Sequence, residues 1–485
     1  MAREILKADR EKQLQYLEKK GIDPYPGVPP ERTHTNEGVV NRFGHLKDQE
    51  VKVVGRMTAV REHGKLVFFD VEDETGKLQG KITKEGVGED GFETFKRGFA
   101  PGDFVSISGK VTKSKTGEIT VEAQTVGMLA KALLPTPVKL EDPETKSRQR
   151  YLDMLVNPEV RERFKLRSNL VEHMRQTFRG FEAWEVETPV LDTTYGGASA
   201  RPFVTHHNAL GEDLYLRISN ELYLKRLVTG GFEGVFEFSR DFRNEGMDKD
   251  HNPEFTIVEL YVAYRDYEWM MNMSENLISS FAEKQLGTTK INYQGQEIDL
   301  STPWKRLTIH DGVEGAIGVD PDTLSDEEIR KIAAENGIYG EEDRGYLLVE
   351  LFDKLVTPTL INPTFVIDYP ESTSPLTKKH RAKKGLVERF ECVVAGMEVM
   401  NCYTELNDPR KQRENFEAEL KRAAAGDEEA MPMDDDFIVS MEYGMPPMGG
   451  IGISIDRWTM LFTDTSHIRD VIAFPTMKRK KPNQK

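Results

Sequence analysis

The chain has 485 residues, 31% of them charged and 38% hydrophobic, and its 66 basic and 82 acidic side chains give a formal net charge of −16. That length predicts two or more domains around a large core; no run of about 18 apolar residues is present to span a membrane, and the acidic balance argues against wholesale nucleic-acid binding. The two cysteines, Cys392 and Cys402, lie in no cluster of Cys and His, so buried free thiols are expected rather than a zinc site.

The start, MAREILKADREKQLQYLEKKG, lacks an apolar signal core and reads as a charged amphipathic helix, which makes a cytoplasmic address the expectation. With its lead-in it occupies residues 1–48. Residues 49–133 carry five β-like runs, EVKVVGRMTAV, KLVFFDVED, GKLQGKIT, DFVSISGKV and GEITVEAQTV, with a helix-like GFETFKRG between the third and fourth. Five short strands and one helix in that order predict an OB barrel, a fold that binds single-stranded nucleic acid by stacking bases on aromatic rings. Basic and acidic residues nearly balance over residues 1–145, 23 against 24, so this front domain is the better candidate for touching RNA phosphates. Its candidate contacts are Arg61, Phe68 and Gln79; because neighbours on a strand face opposite ways, the core claims only one of Phe68 and Phe69. From the strands alone, RNA binding and protein contact are equally good readings.

Residues 134–147, with LPTPVKLEDP, read as a proline-rich linker. From residue 148 onward, an amphipathic helix over about Pro158 to Arg179 leads into strand-like EAWEVETPVL, ending at Pro189. GGASARPFVTHHN follows, its small residues permitting close approach of backbone to a ligand. LYLRISNELYLKRL places Glu221 near the start of a helix, where a lone glutamate is ordinarily a surface residue favoured by the helix dipole.

The most informative stretch is Phe236 to Tyr264, FEFSRDFRNEGMDKDHNPEFTIVELYVAY, which reads as an antiparallel hairpin. On its first arm Phe236, Phe238 and Phe242 share one face, and Glu237, Arg243 and Glu245 the other. On the second arm Phe255, Ile257, Glu259 and Tyr261 share a face able to bind, and Thr256, Val258, Leu260 and Val262 one able to pack. An aromatic plate, an arginine and carboxylates in register suit a ligand with a flat base, phosphates and a cation.

Trp269 to Lys284 reads as a helix, and about 303–355 as a helical insertion to which no chemistry is assigned. INPTFVIDYP reads as a returning strand. FECVVAGMEVMNCYTE reads as two strands around a turn at Ala395 and Gly396, with Val393 opposite Glu398 and Glu391 as the diagonal neighbour. Two adjacent carboxylates either point into water or hold Mg²⁺. Asn401, Tyr403 and Glu405 share a face whose parity excludes Glu398, so a bulge is predicted near Val399 and Met400. GGIGISIDRWTMLFTD is a glycine-rich strand running into a helix with Arg457 at the junction, and KRKKPNQK reads as a solvated basic tail.

FRNEG followed by HNPEF resembles motif 2 of the class II aminoacyl-tRNA synthetases, and HNPEFTIVELYVAYRDY is close to the form found in lysyl-tRNA synthetases. The helix leading to EAWEVETPVL resembles motif 1, GGIGISIDRWTMLFTD resembles motif 3, and SPLTKKHR resembles the family's loop over the site. The resemblance implies an α+β protein: an OB-fold anticodon-binding domain, then an antiparallel catalytic sheet flanked by helices over 148–485, paired into a homodimer through motif 1. It implies L-lysine, ATP and tRNA(Lys) as substrates, with Mg²⁺.

Residue by residue, the family pattern implies that Arg243, bridging the lysine carboxylate and the α-phosphate, and Arg457 carry catalysis. It implies that Glu245, His251, Asn252, Phe255 and Glu398 join them around ATP, and that Glu391 and Glu398 hold the metal. Gly197, Glu221, Glu259, Tyr261, Asn401, Tyr403 and Glu405, with Arg243, would surround lysine, and Arg61, Phe68 and Gln79 would read the anticodon. Three positions depart from the pattern: Asn220 replaces a frequent proline, Ser454 a frequent glycine, and the segment near Gln124 and Thr125 lacks the acidic residue expected for the family's further anticodon contact. Aspartyl- and asparaginyl-tRNA synthetases share the motifs, a catalytically silent relative would have lost Arg243, Glu391, Glu398 or Arg457, and a protein-modifying paralogue would lack the barrel.

Overall fold

Alternation of apolar and polar residues does in the front unit what it predicts. In the computed structural model, which describes residues 2–341, 343–427 and 430–479, β1 (Glu50–His63), β2 (Leu66–Glu72), β3 (Lys77–Thr83), β4 (Phe104–Lys113) and β5 (Ile119–Ala130) pair in the order β1-β2-β3-β5-β4, and β4 returns to β1 to close a barrel. Val67, Phe69 and Val71 of β2 point inward and are buried, while Phe68 and Asp70 face out. The helix Lys84–Gly98 fills the gap between β3 and β4, its first turn capped by the Thr83 hydroxyl, which accepts from the Gly86 amide. The N-terminal helix Ala2–Lys19 adds Leu17 to the same core. This unit spans Met1–Leu140, and Glu141–Lys485 form the second; residues 480–485 of the basic tail lie outside the described residues.

The second unit is built on an eight-stranded sheet. In chain order its strands are β6 (Trp184–Glu185), then, after a small three-stranded sheet of β7 (Leu191–Asp192), β8 (Phe203–His207) and β9 (Glu212–Leu216), the hairpin β10 (Gly234–Phe242) and β11 (Glu254–Ala263). A two-stranded ribbon, β12 (Lys290–Tyr293) and β13 (Gln296–Asp299), precedes β14 (Lys305–Thr308), β15 (Thr364–Pro370), β16 (Leu386–Val394), β17 (Met397–Thr404) and β18 (Met448–Ser454). The sheet order is β14-β15-β16-β17-β18-β11-β10-β6, antiparallel except at the two outermost pairs.

One face is packed. Phe236, Val258, Leu260, Ile451 and Ile453 meet the helices Pro158–Arg179, Tyr267–Leu286 and Ile455–Phe462 through Met174, Phe178, Phe281 and Trp458 in a single core. The opposite face carries the site. Both cysteines are buried in the packed layer as free thiols.

Two segments differ from their sequence reading in extent. Residues 305–308, read as part of the helical segment, form β14 at the sheet edge, because the backbone of Thr364–Ile367 offers a parallel partner there. Three helices follow, Ile309–Ile317, Asp326–Glu335 and Arg344–Leu355, closed over Val313, Ile329, Leu351 and Phe352. EAWEVETPVL contributes only Trp184 and Glu185 to the sheet; β6 is its outermost strand, Trp184 on it is exposed, and so are Val190, Leu191, Val204 and Leu210 in and around the three-stranded sheet. Among the described residues no helix is long and apolar enough to cross a membrane.

Candidate active site

A cavity of about 460 Å³ opens on the unpacked face, and the strand register explains its floor. Residues directly opposite one another across a ladder share a face. Glu259 of β11 therefore lies in a row with Gly452 of β18, Asn401 of β17 and Glu391 of β16, and Tyr261 lies in a second row with Gly450, Tyr403 and Arg389. The central strand contributes only hydrogens to each row, which makes the floor a trough. A Cβ at Gly450 would fall 2.1 Å from Glu405 Oε1 and 2.3 Å from Tyr261 Cε1, so no side chain fits there.

The bulge that brings Glu398 to this face lies at Val399. Cys392 pairs with Met400 and Val393 with Glu398, leaving Val399 as the surplus residue between them. The turn joining the strands has positive φ at both Ala395 (50°) and Gly396 (73°), the twist that a two-residue hairpin needs.

At one end of the trough the motif 2 and motif 3 residues converge. The Arg243 amide donates to Pro253 O at 2.9 Å, and its guanidinium lies 5.1 Å from the centre of the Phe255 ring. Behind it Asp241 is fully buried 3.3 Å from Arg217 Nε; burial pushes its carboxyl up to about 6, against the pull of Arg217 and Arg243. Asn252 is buried and donates to Glu254 O at 2.6 Å, while Glu245 is exposed at the rim. His251 Nδ1 lies 2.9 Å from Asp248, and its Nε2 is 3.1 Å from Arg457 Nη2. Arg457 also lies 3.6 Å from Glu398 Oε2 and is held at a helix start.

Ser454 caps that helix, accepting from the Arg457 amide at 3.2 Å, so the serine in the glycine position has a structural use. Next to it the buried Asp456 accepts from the Thr256 amide at 2.7 Å and pairs with Arg167, tying the motif 3 helix to β11 and to the helix of motif 1.

At the other end carboxylates collect. Gly197, at φ +84°, lies so close to Ser219 and Glu221 that a Cβ would meet Ser219 Oγ at 2.9 Å. Glu221 opens the helix Glu221–Thr229 and is buried; Tyr261 donates to Glu259 Oε2 at 2.9 Å. Burial and the charges of Glu221 and Asp241 push the Glu259 carboxyl up to about 8, opposed by the Tyr261 hydroxyl. Glu405 is fully buried behind the lining rather than in it, and burial lifts it to about 8 even with Lys225 pulling it down. Asn220, in the place of the proline, donates to Glu237 Oε2 at 2.8 Å, joining a buried network in which Arg217 and Thr188 also bind Glu237.

Two residues were not found from the sequence. Lys225 is fully buried and pairs with both Glu221 and Glu405. Its only sequence signal is a Glu–Lys spacing of four on a helix, which usually marks a solvated pair. Arg389 lies 4.3 Å from the Tyr369 ring centre and 5.5 Å from that of Tyr403, donates to Ser374 Oγ at 3.0 Å and binds Glu391. The alternation that placed Glu391 in the site could have placed Arg389 beside it.

On the barrel, Arg61, Phe68 and Gln79 share the outer face of β1, β2 and β3. Arg61 stands opposite Phe68 and donates twice to Asp70, at 2.8 and 2.6 Å, and Asp70 stands opposite Gln79, whose Oε1 accepts from Thr120 at 2.9 Å. Phe68 is half-buried against His63, with ring centres 6.3 Å apart, and Phe69 is the one the core claims.

Known proteins carry the same two parts. Residues 142–478 match the family described as tRNA synthetases class II (D, K and N), and residues 51–129 match the OB-fold nucleic acid binding domain. The chain is 48% identical over 492 residues to the lysine–tRNA ligase of Clostridium botulinum, covering 100% of this chain and 97% of that relative. Identity is 48% over 479 residues to the same-named protein of Clostridium novyi, covering 97% of this chain and 94% of that one, and 47% over 483 residues to that of Moorella thermoacetica, covering 98% of each. With motifs 2 and 3 meeting in one trough and relatives matched over 94% or more of their length, the chain belongs to the class II tRNA synthetases of the D, K and N group.

Proposed function

We propose that this chain is a lysine–tRNA ligase, which activates L-lysine with ATP to lysyl-adenylate and pyrophosphate and then passes lysine to the terminal adenosine of tRNA(Lys). The observation that carries this reading is the polarity of the trough: arginines and an aromatic plate at one end, and the buried carboxylates Glu221 and Glu259, with Glu405 behind them, at the other. The names of the relatives support it.

The substrate carboxylate is itself the nucleophile, so the chemical problem is bringing two anions together. Positioning and charge neutralisation carry the rate. In this reading Arg243 bridges the lysine carboxylate and the α-phosphate with its planar fork, Phe255 stacks on adenine, and Arg457 lies on the other face or at the γ-phosphate. Glu245 and Asn252 read the adenine edge, and His251 approaches the outer phosphates. Glu259 takes the α-ammonium near the Gly197 backbone, and Asn401 and Tyr403 line the slot. Glu221, Glu405 and Tyr261 receive the side-chain ammonium.

Glu391 and Glu398 suit Mg²⁺. Burial and the charge of Glu398 push the Glu391 carboxyl above its usual range while Arg389 pulls it down, a crowding of hard oxygen donors that a divalent cation relieves. When bound there, the ion would supply positive charge to the ATP phosphates; Arg243 and Arg457 supply it from the protein.

The exposed apolar residues of β6 and of the three-stranded sheet fit burial against a second copy in a homodimer, and the outer face of the barrel fits the anticodon of tRNA(Lys). An aspartate-specific site is disfavoured because Lys225, the cation at the carboxylate end, is already matched by two glutamates.

The test is amino-acid-dependent exchange of pyrophosphate into ATP, without tRNA, across twenty amino acids. Exchange with lysine alone is expected. Exchange with aspartate or asparagine, or none at all in folded protein with Mg²⁺, would overturn the reading.

A further inference from the structure

The proposed pocket for the side-chain ammonium already contains one. Lys225 has no exposed surface, and its Nζ contacts Oε1 of Glu221 and Oε2 of Glu405 while lying 5.9 Å from the centre of the Tyr261 ring. Glu405, equally buried, has neither carboxylate oxygen in a hydrogen bond among the described residues: Oε2 meets the Lys225 ammonium as an ion pair, and Oε1 faces the bare floor at Gly450, within 2.1 Å of where a Cβ would stand. An unsatisfied carboxylate oxygen at such depth is costly unless something comes to meet it.

Resting on the lysine-activating reading, we propose that Lys225 is a specificity-determining positioning residue: its ammonium claims one oxygen of each of Glu221 and Glu405 and thereby presents the remaining two to the ammonium of the substrate. With lysine bound, two carboxylates and two ammoniums alternate, and the buried group is neutral. Glu259 is left for the α-ammonium. A substrate with an uncharged tail leaves the group one positive charge short, and a dicationic tail overfills it. Burial by itself would press on the Lys225 charge, but Glu221 and Glu405 together raise its pKa, in keeping with a permanently charged partner.

Charge counting makes this testable in a way that a packing role does not. In Lys225→Met, two carboxylates face one incoming ammonium, and one of them takes up a proton. The KM for lysine in pyrophosphate exchange rises at least about tenfold, while the KM for ATP stays within about twofold. In Glu405→Gln, one carboxylate faces two ammoniums, and the lysine KM rises further. The double variant Lys225→Met/Glu405→Gln restores one carboxylate to one ammonium, so its lysine KM falls below that of Glu405→Gln alone. Removing a second buried group would deepen the defect if Lys225 only packed.

A double variant equal to or worse than Glu405→Gln overturns the proposal, as does an equal rise of both KM values in Lys225→Met. If Lys225→Met does not fold, as circular dichroism would report, the comparison of Glu405→Gln with the double variant still decides. Lack of lysine-dependent exchange in the unaltered protein would refute the underlying reading; normal exchange there with an unshifted Lys225→Met refutes this inference alone.

Discussion

The outer face of the barrel and the floor of the trough use the same residue types to different ends. On the barrel, Arg61 and Asp70 form a two-point pair with 43% and 26% of their side chains exposed, a contact that water and salt weaken to about 1 kcal/mol or less. In the trough, Lys225 meets Glu221 and Glu405 without solvent, and breaking such a pair costs roughly 3 to 5 kcal/mol. An exposed pair can be exchanged for a new partner at little cost, which would suit this face in the proposed role of meeting a large, flexible polynucleotide. A buried set cannot rearrange, which would suit the proposed selection of one small cation.

Four experiments would break or sharpen that contrast. The largest effect is expected at Arg243→Lys, where loss of the planar fork should lower kcat/KM for pyrophosphate exchange by about 10²- to 10³-fold, as removal of a single charge-stabilising donor does. Initial rates across ATP and lysine concentrations would check it, and a loss under about fivefold would remove Arg243 from its assigned role. Next is Gly450→Ala, whose methyl would collide with Glu405 and Tyr261. We expect the lysine KM to rise about tenfold or more and stability to drop about 1 to 3 kcal/mol by denaturant unfolding.

On the barrel, Phe68→Ala should raise the tRNA KM in aminoacylation about tenfold, in line with about 1 to 3 kcal/mol for a stacked base, and leave tRNA-independent exchange as it was. A parallel loss of exchange would show that the two regions are not separable. The smallest effect is on pH. Glu259 and Glu405, raised to about 8, hold protons below that pH and carry the charge an ammonium needs above it. Lysine binding should therefore tighten from pH 7 to pH 8.5, by a few-fold, and calorimetry in buffers of different ionisation heat should register proton release. Binding that is flat over this range would mean that the carboxyls are already ionised.

Much of this was legible in the residues because strands write their faces in alternation. Phe255, Ile257, Glu259 and Tyr261 could be placed on one face without a structure, the parity of Glu398 against Asn401 required a bulge, and the barrel strands fell where glycine and proline punctuate them. The pairing of Glu221 and Glu405 through Lys225 could not be read. A helical Glu–Lys spacing looks the same in water and in a core, and which of the two it occupies depends on a strand far along the chain. The same limit applies to β14, whose four residues become a strand only because β15 offers an edge, and to Asn220 and Ser454, whose uses are a hydrogen bond to β10 and a helix cap.

Val399 is a residue that the neighbouring strand does not count. Since Val393 faces Glu398 and Cys392 faces Met400, the loss of Val399 would leave every remaining pair across β16 and β17 intact and turn a kinked ladder into a regular one. A gain of one residue at the same place would add a second uncounted position or slip one end of the strand past its partners. Chain length in the middle of this sheet is thus tolerant in one direction only: at this point the trough could survive becoming shorter, but not longer.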